Sequence, residues 1–300
     1  MKRYSKIICL ATWFVIALYG WNSSLPAQTG STDKLVDSLI RVRKINDKTV
    51  IVSLGPDAVT AIATKKGIVV IDAGLSASLT SKYREIIQRE FKRDDFTYLI
   101  NTHGHRDHTW GNIAFGDAVI IGQENCLKEM SDQLKDPEKV KAGLLRLVNE
   151  YDKELKTLTP GTDDWDEAFC QKARYQYAYR DVLNNGIIKK PTVTFTDTLN
   201  MDMGDVTFHL IWFGTAHSES DILVFIPGLK LLMVGDLFSK YGRPSIPERN
   251  MTNTDRWLKV MDWVEARSEK IVTIIGGHGQ VLTKEDLDSF DHFVRKTAGH

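Results

Sequence analysis

Asn101-Thr102-His103-Gly104-His105-Arg106-Asp107-His108 packs four metal-ligand side chains, His103, His105, Asp107 and His108, into six residues. The apolar, β-prone run Phe96-Thr97-Tyr98-Leu99-Ile100 comes directly before it. This order reads as a strand that ends, a tight loop, and the first turn of a helix. Histidines two apart in extended backbone lie on the same side and can grip one cation together. Asp107 and His108 then curl back over the same spot and can hold a second. Imidazole and carboxylate are ligands that zinc and its first-row neighbours accept. The chain has only eight histidines, so three of them with an aspartate in this pattern signal a metal site rather than a compositional accident.

The pattern His103-x-His105-x-Asp107-His108 resembles the signature of the metallo-β-lactamase-fold hydrolases. The resemblance extends over residues 45–280 and implies three more ligands downstream. A histidine is expected after a strand and a Gly-x-Ala turn, where Gly214-Thr215-Ala216-His217 stands. An acidic ligand is expected at Gly235-Asp236, and a last histidine at Gly276-Gly277-His278-Gly279. By the resemblance, His103, His105 and His217 hold one metal, Asp107, His108 and His278 hold the other, and Asp236 bridges them. Asp72 matches the family's early aspartate, which supports the metal loops without binding metal. Its place between Ile68-Val69-Val70-Ile71 and Ala73-Gly74 equally fits a simple strand-ending turn residue. The implied fold is α/β (α+β), a four-layer αββα sandwich of two sheets with helices outside, the site lying along one edge.

Independently of the resemblance, every one of these residues follows or ends an apolar run. Short β-rich runs are read at residues 49–54, 58–64, 68–72, 96–100 and 118–122, with a surface helix over 79–91. From 123 to about 190 the pattern turns helical. Val140, Leu144, Leu147, Val148, Tyr151 and Leu155 form one stripe, and Trp165, Phe169, Ala173 and Tyr177 another, parted by Pro160-Gly161. This insertion is expected to cap the site and shape substrate choice. Strands resume at 192–199, 206–213, 221–227, 229–234 and 271–275. A helix is marked by Trp257, Met261 and Val264, and Thr283-Lys284-Glu285-Asp286 opens a closing helix with the pattern of a capping box. Residues 28–45 are polar and read as a loose lead-in. His209 lies within a strand and reads as structural. Trp110, Lys240, Tyr241 and Arg243 are candidate substrate-pocket residues.

Composition bounds the rest. Of 300 residues, 42% are hydrophobic and 26% charged, an ordinary globular balance, and the formal net charge of zero gives no basic field for nucleic acid. Lys2, Arg3 and Lys6 precede an apolar stretch over 7–19, and Leu25-Pro26-Ala27 ends in a small residue. Residues 1–27 therefore read as a secretory signal peptide, with a retained membrane anchor as the alternative. Residues 28–300 read as one domain, periplasmic or secreted, with no stable membrane association after cleavage. Cleavage takes away three basic residues and no acidic ones, leaving 36 basic and 39 acidic residues and a net charge of −3. Cys126 and Cys170 remain, and the sequence leaves open whether they pair.

The resemblance implies two Zn2+ ions, with iron or manganese as alternatives, about 3.5–4 Å apart and sharing a water. Zinc lowers the pKa of such a water to about 7, so a metal-bound hydroxide would attack an ester, lactone, amide or thioester of a small-molecule substrate. Asp107 would orient the nucleophile and Asp236 would bridge. True β-lactamases of this fold usually carry Cys or Ser where this chain has Asp236, which points toward glyoxalase II, lactonases and related hydrolases. Export points the other way, toward β-lactam antibiotics. Readings from other classes are an iron-dependent oxidoreductase resembling the persulfide dioxygenases, and a non-catalytic metal-binding protein.

Overall fold

The computed structural model describes residues 29–184, 186, 188–238 and 254–298. The chain opens with α1 (Thr29–Leu39) and β1 (Arg41–Asn46), where the composition reads as a loose lead-in. The reading fails because β1 is an edge strand. Its side chains are largely exposed and show no apolar alternation, yet its backbone pairs antiparallel with the next strand. Leu35, Val36, Leu39 and Ile40 pack on the core and anchor the helix end.

Three β-rich runs then form a meander, β2 (Thr49–Leu54), β3 (Asp57–Thr64) and β4 (Gly67–Ile71), joined by two-residue turns. Helix α2 (Ala77–Phe91) starts where Ser76 accepts a hydrogen bond from the Leu79 amide at 3.3 Å and stops at Lys92 in the left-handed conformation. After it come β5 (Phe96–Ile100), the single-turn α3 (Arg106–Thr109) and β6 (Val119–Gln123). The inserted stretch is helical: α4 (Asn125–Asp132), α5 (Pro137–Leu155) and α6 (Asp163–Leu183). Asp136 and Thr162 cap α5 and α6, and Pro137 occupies the first turn of α5, where its missing amide costs nothing.

The β-prone run at 192–199, read as one strand, is two. β7 (Val193–Phe195) pairs with β6, and β8 (Thr198–Asp202) pairs with β9 (Thr207–Trp212) in the other sheet. The chain changes sheet at Thr196-Asp197, where the strand-depleted Asp197 marks a break that the β-branched residues on either side obscure. β10 (Ile222–Ile226) and β11 (Leu231–Met233) form a hairpin, followed by α7 (Thr254–Glu265), β12 (Thr273–Ile275), β13 (Val281–Leu282) and α8 (Lys284–Ala298). The capping box of α8 is reciprocal: Asp286 accepts from the Thr283 amide at 2.8 Å, and Thr283 Oγ1 accepts from the Asp286 amide at 3.2 Å.

The seven-stranded sheet runs in order β1-β2-β3-β4-β5-β6-β7, and the six-stranded sheet β13-β12-β11-β10-β9-β8. Three apolar layers show how they stack. Alternate residues of β2 to β4, such as Val50, Val52, Ala61 and Val70, face Leu79, Tyr83 and Ile87 of α2 and Phe169 and Tyr177 of α6. The other set, Ile51, Ile62, Val69 and Ile71, faces Phe208, Leu210, Val224 and Met233 of the second sheet. The far side of that sheet presents Leu223, Phe225 and Leu232 to Trp257, Met261 and Phe290 of α7 and α8. The order is helices, sheet, sheet, helices. Strands β4, β10 and β11 are buried throughout, as expected of layers covered on both faces. Truncating a residue of the middle layer such as Ile62 to Ala would cost about 2–5 kcal/mol. No helix among the described residues is long and apolar enough to cross a membrane.

Candidate metal centre

The strand ends β4, β5 and β11, together with the turns after β9 and β12, all open onto one edge of the sandwich, and they carry the candidate ligands. Asp72 directly follows β4 and adopts a left-handed backbone (φ 59°), which Asp tolerates better than most residues. The turn aims its carboxylate back across the sheet. Oδ1 accepts from the Thr102 amide at 2.7 Å, Oδ2 accepts from Thr102 Oγ1 at 2.8 Å, and Oδ2 lies 2.9 Å from His108 Nδ1. One buried carboxylate thus fixes both the start of the ligand loop and the ring of its last histidine.

The ring contacts decide which atoms are left for a cation. His108 spends Nδ1 on Asp72, His278 donates Nδ1 to the Pro56 carbonyl at 2.7 Å, and His103 Nδ1 meets Thr102 Oγ1 at 3.2 Å. Each therefore turns Nε2 inward. His105 instead presents Nδ1, which lies 3.1 Å from His217 Nε2. Asp236 sits between the groups, its Oδ2 3.4 Å from His108 Nε2, 3.3 Å from His278 Nε2 and 3.7 Å from His217 Nε2. Gly277 makes this approach possible, because a Cβ there would stand 2.5 Å from Asp236 Oδ1 and 2.7 Å from His108 Cε1.

Three sets of candidate ligand atoms each converge within 4.8 Å: His103, His105 and His217; Asp107, His108 and His278; and His103, His108 and Asp236. All seven residues are thus drawn together. His103 Nε2, His108 Nε2 and Asp236 Oδ1 are buried without a hydrogen-bond partner, a costly arrangement unless they ligate. Nitrogen and carboxylate donors in this number fit a pair of first-row dications.

Electrostatics separate the two groups. Burial, reinforced by neighbouring imidazoles, pushes His103 well below its ordinary pKa. Burial is also the main cause that lowers His105 and takes His217 down to about 4. In the other group, burial works against charge on His108 and His278, but Asp236 overrides it and holds both above the ordinary value, with Asp72 adding to the effect on His108. Asp107 is lowered to about 2, because His108, Arg174 and His278 outweigh the burial that would raise it.

Other candidate residues fall elsewhere. Trp110, expected in the pocket wall, is 4% exposed and packs with Leu75, Leu144 and Ala178 between the ligand loop and the inserted helices. A large indole beside a close-packed helix pair fills the core rather than facing a substrate. His209 bonds Asn200 Oδ1 through Nδ1 at 2.6 Å on β9 and takes no part in the site. Cys126 and Cys170 are buried free thiols and do not pair. Lys240, Tyr241 and Arg243 lie outside the described residues, as does the expected signal peptide.

The sequence reading missed two supports. Arg174 of α6 is buried, its Nη2 3.3 Å from Asp107 Oδ2 and its Nε 3.7 Å from Asp57 Oδ2. Glu129 of α4 accepts from the amides of Gly104 at 3.1 Å and Glu219 at 2.7 Å and bonds Ser220 Oγ, tying the ligand loop to the His217 turn. In that turn the buried Asp221 accepts from the Ser218 amide at 2.6 Å and from Ser218 Oγ at 2.8 Å, and burial raises it to about 7. The available signal for Arg174 was its helical spacing, four residues after Cys170 and four before Ala178, both buried on α6.

A groove of about 1090 Å³ runs beside His105 and Asp107. Arg106, Lys128, Gln133, Lys139, Val140 and Arg146 contribute to its walls, so α4 and α5 border it opposite the ligand loop.

Comparison with known proteins agrees with this geometry. Residues 52–278 match the family model described as "Metallo-beta-lactamase superfamily". A protein named metallo-beta-lactamase type 2 from Bacillus cereus is 22% identical over 218 residues, covering 73% of this chain and 65% of its own length. The chain thus spans just under two thirds of that relative. Among solved structures, a metallo-beta-lactamase from Pontibacter korlensis aligns with a TM-score of 0.55 at 16% identity, over 85% of this chain and 99% of that one. A stereoselective inverting sec-alkylsulfatase from Pseudomonas sp. aligns with a TM-score of 0.58 at 14% identity, over 89% of this chain and 42% of that one. These structural likenesses extend to the fold, and the family match spans all seven converging side chains: the chain belongs to the metallo-beta-lactamase superfamily.

Proposed function

We propose that this chain is an exported hydrolase with a dinuclear zinc centre that cleaves an ester, lactone, amide or thioester in a small molecule. The observation that carries the reading is the position of Asp236 Oδ2, 3.3–3.7 Å from imidazole nitrogens of both ligand groups. Bound zinc would supply a water nucleophile near neutral pH and polarise the substrate oxygen. His103, His105 and His217 would hold one ion, Asp107, His108 and His278 the other, with Asp236 shared. Asp107 stays ionised at neutral pH and remains partly open to the groove, so its carboxylate can accept a hydrogen bond from the attacking water and fix its direction.

Among the described residues, no cysteine or serine beside the site is free to act as nucleophile. Burial holds the Cys126 thiol far above its ordinary value and takes Cys170 up to about 11. Ser218 and Ser220 direct their hydroxyls to Asp221 and Glu129. The substrate would lie in the groove between the ligand loop and α4 and α5, which makes the inserted helices a wall of the binding site. Export rests on the pattern of residues 1–27.

A narrower reading, β-lactam hydrolysis, is favoured by the names of the relatives. Asp236, where the lactamases carry Cys or Ser, favours the broader one. The test is hydrolysis by the zinc-loaded chain of a cephalosporin, an acyl-homoserine lactone, an aryl ester and a thioester. Strong, chelator-sensitive turnover of at least one is expected. A protein fully loaded with zinc yet inert on all four would overturn the hydrolase reading and turn attention to iron and redox chemistry.

A further inference from the structure

Arg174 is delivered to the metal centre by α6, which belongs to the inserted stretch and not to either sheet. A guanidinium this deeply buried needs counter-charge, and two carboxylates from the sandwich supply it. Asp57, the first residue of β3, is buried. Its Oδ2 accepts from the Leu75 amide at 3.0 Å and stands 3.7 Å from Arg174 Nε. On the other side Arg174 Nη2 reaches Asp107 Oδ2 at 3.3 Å. The Tyr175 ring lies 5.2 Å from the same guanidinium.

The helix is fixed on the C-terminal side of this contact. Asp181 accepts from Ser76 Oγ at 2.6 Å and from the Ser78 amide at 3.1 Å, and Tyr177 donates to Asp33 at 2.7 Å. The anchored helix and the Asp57 contact thus hold the Arg174 guanidinium beside Asp107. A carboxylate with one oxygen held by a fixed cation keeps its other oxygen in a defined orientation. Metal ligands are commonly oriented by outer partners of this kind, and losing one typically lowers metal affinity about 10- to 100-fold.

We propose that Arg174, braced by Asp57, is a positioning residue for Asp107. It makes the second half of the centre, Asp107 with His108 and His278, depend on the docking of α6. The first half, His103 with His105 and His217, is tied to the insertion through Glu129 of α4 and not through Arg174. The proposal rests on the dinuclear reading above. By linkage the dependence is reciprocal, so an ion in the second half tightens the docking of α6.

The test is zinc titration of the full chain against a chromophoric chelator, comparing the unaltered protein with the double variant Asp57→Asn, Arg174→Gln. Changing both residues avoids leaving one uncompensated buried charge. The unaltered chain is expected to bind two ions. The double variant should bind the first within about twofold of normal and the second about 10- to 100-fold more weakly. Hydrogen exchange in α6 should slow on binding the second ion in the unaltered chain, and this response should shrink in the variant. Equal weakening of both ions would make Arg174 a general structural residue, and unchanged or tighter binding of the second would also overturn the proposal. An unaltered chain that binds fewer than two ions would remove the dinuclear reading itself, which separates the two failures.

Discussion

The two halves of the metal centre are built by different means. In the first, three imidazoles face one another, and burial keeps them below their ordinary pKa, ready to ligate in the neutral form. In the second, each ligand has a partner behind it: Asp72 behind His108, the Pro56 carbonyl behind His278, Arg174 behind Asp107. There the field of Asp236 raises both imidazoles above their ordinary value. The first half is a cluster of three imidazoles; the second joins two imidazoles to a carboxylate, each with a polar partner behind it. The lesson is that one contiguous motif, His103 to His108, supplies side chains to two candidate ligand groups that different parts of the fold support.

Three substitutions would sharpen or break this contrast. The largest effect is expected at Asp236, which both halves share. Asp236→Ala should weaken both ions and lower hydrolysis by about 100-fold or more, read by metal content and turnover. If only one ion were lost, Asp236 would belong to one half and the bridge would be wrong. Next comes Asp72→Asn. It keeps the shape but removes the charge beside His108, so the second ion should weaken about 10- to 100-fold and the first much less. Equal loss of both ions would show that Asp72 acts mainly through Thr102, which also touches His103.

The smallest effect concerns the turn that carries His217. Asp221 is raised to about 7 in the fold, above the value of an unfolded chain near 3.8. The folded state therefore holds the proton more tightly. Stability from this group is full below about pH 4 and is lost as pH rises toward 7. Asp221→Asn should flatten that decline in the metal-free protein. At pH 8 it should gain about 1 kcal/mol, relief of a buried charge partly offset by one lost hydrogen bond from Ser218. Melting temperatures of both proteins from pH 5 to pH 8 check it; parallel curves would remove Asp221 as the source.

Local signals carried the converging candidate ligands, the family resemblance added Asp72, and Arg174 and Glu129 were missed. His103, His105, Asp107 and His108 are adjacent in sequence, and His217, Asp236 and His278 each follow an apolar run, so strand reading and motif converge on the same positions. The layers were legible because β2 to β4 and β9 to β11 carry the apolar patterns that two covered sheets require. Edge strand β1 was not, since its exposed face shows no alternation. Nor was the change of sheet at Thr196-Asp197, where a single Asp between β-branched residues is all that marks the break. The Arg174 contacts join residues far apart in sequence, which no periodicity encodes. Trp110 fitted either the pocket wall or the core in sequence, and its packing with Leu144 and Ala178 decides for the core.

The most direct test of the account is the metal content of the zinc-equilibrated chain at neutral pH. Two ions per chain are expected, released in two steps on titration with a chelator, the two halves differing in affinity. A chain that saturates at one ion, or retains none, would contradict the dinuclear centre on which the functional reading stands.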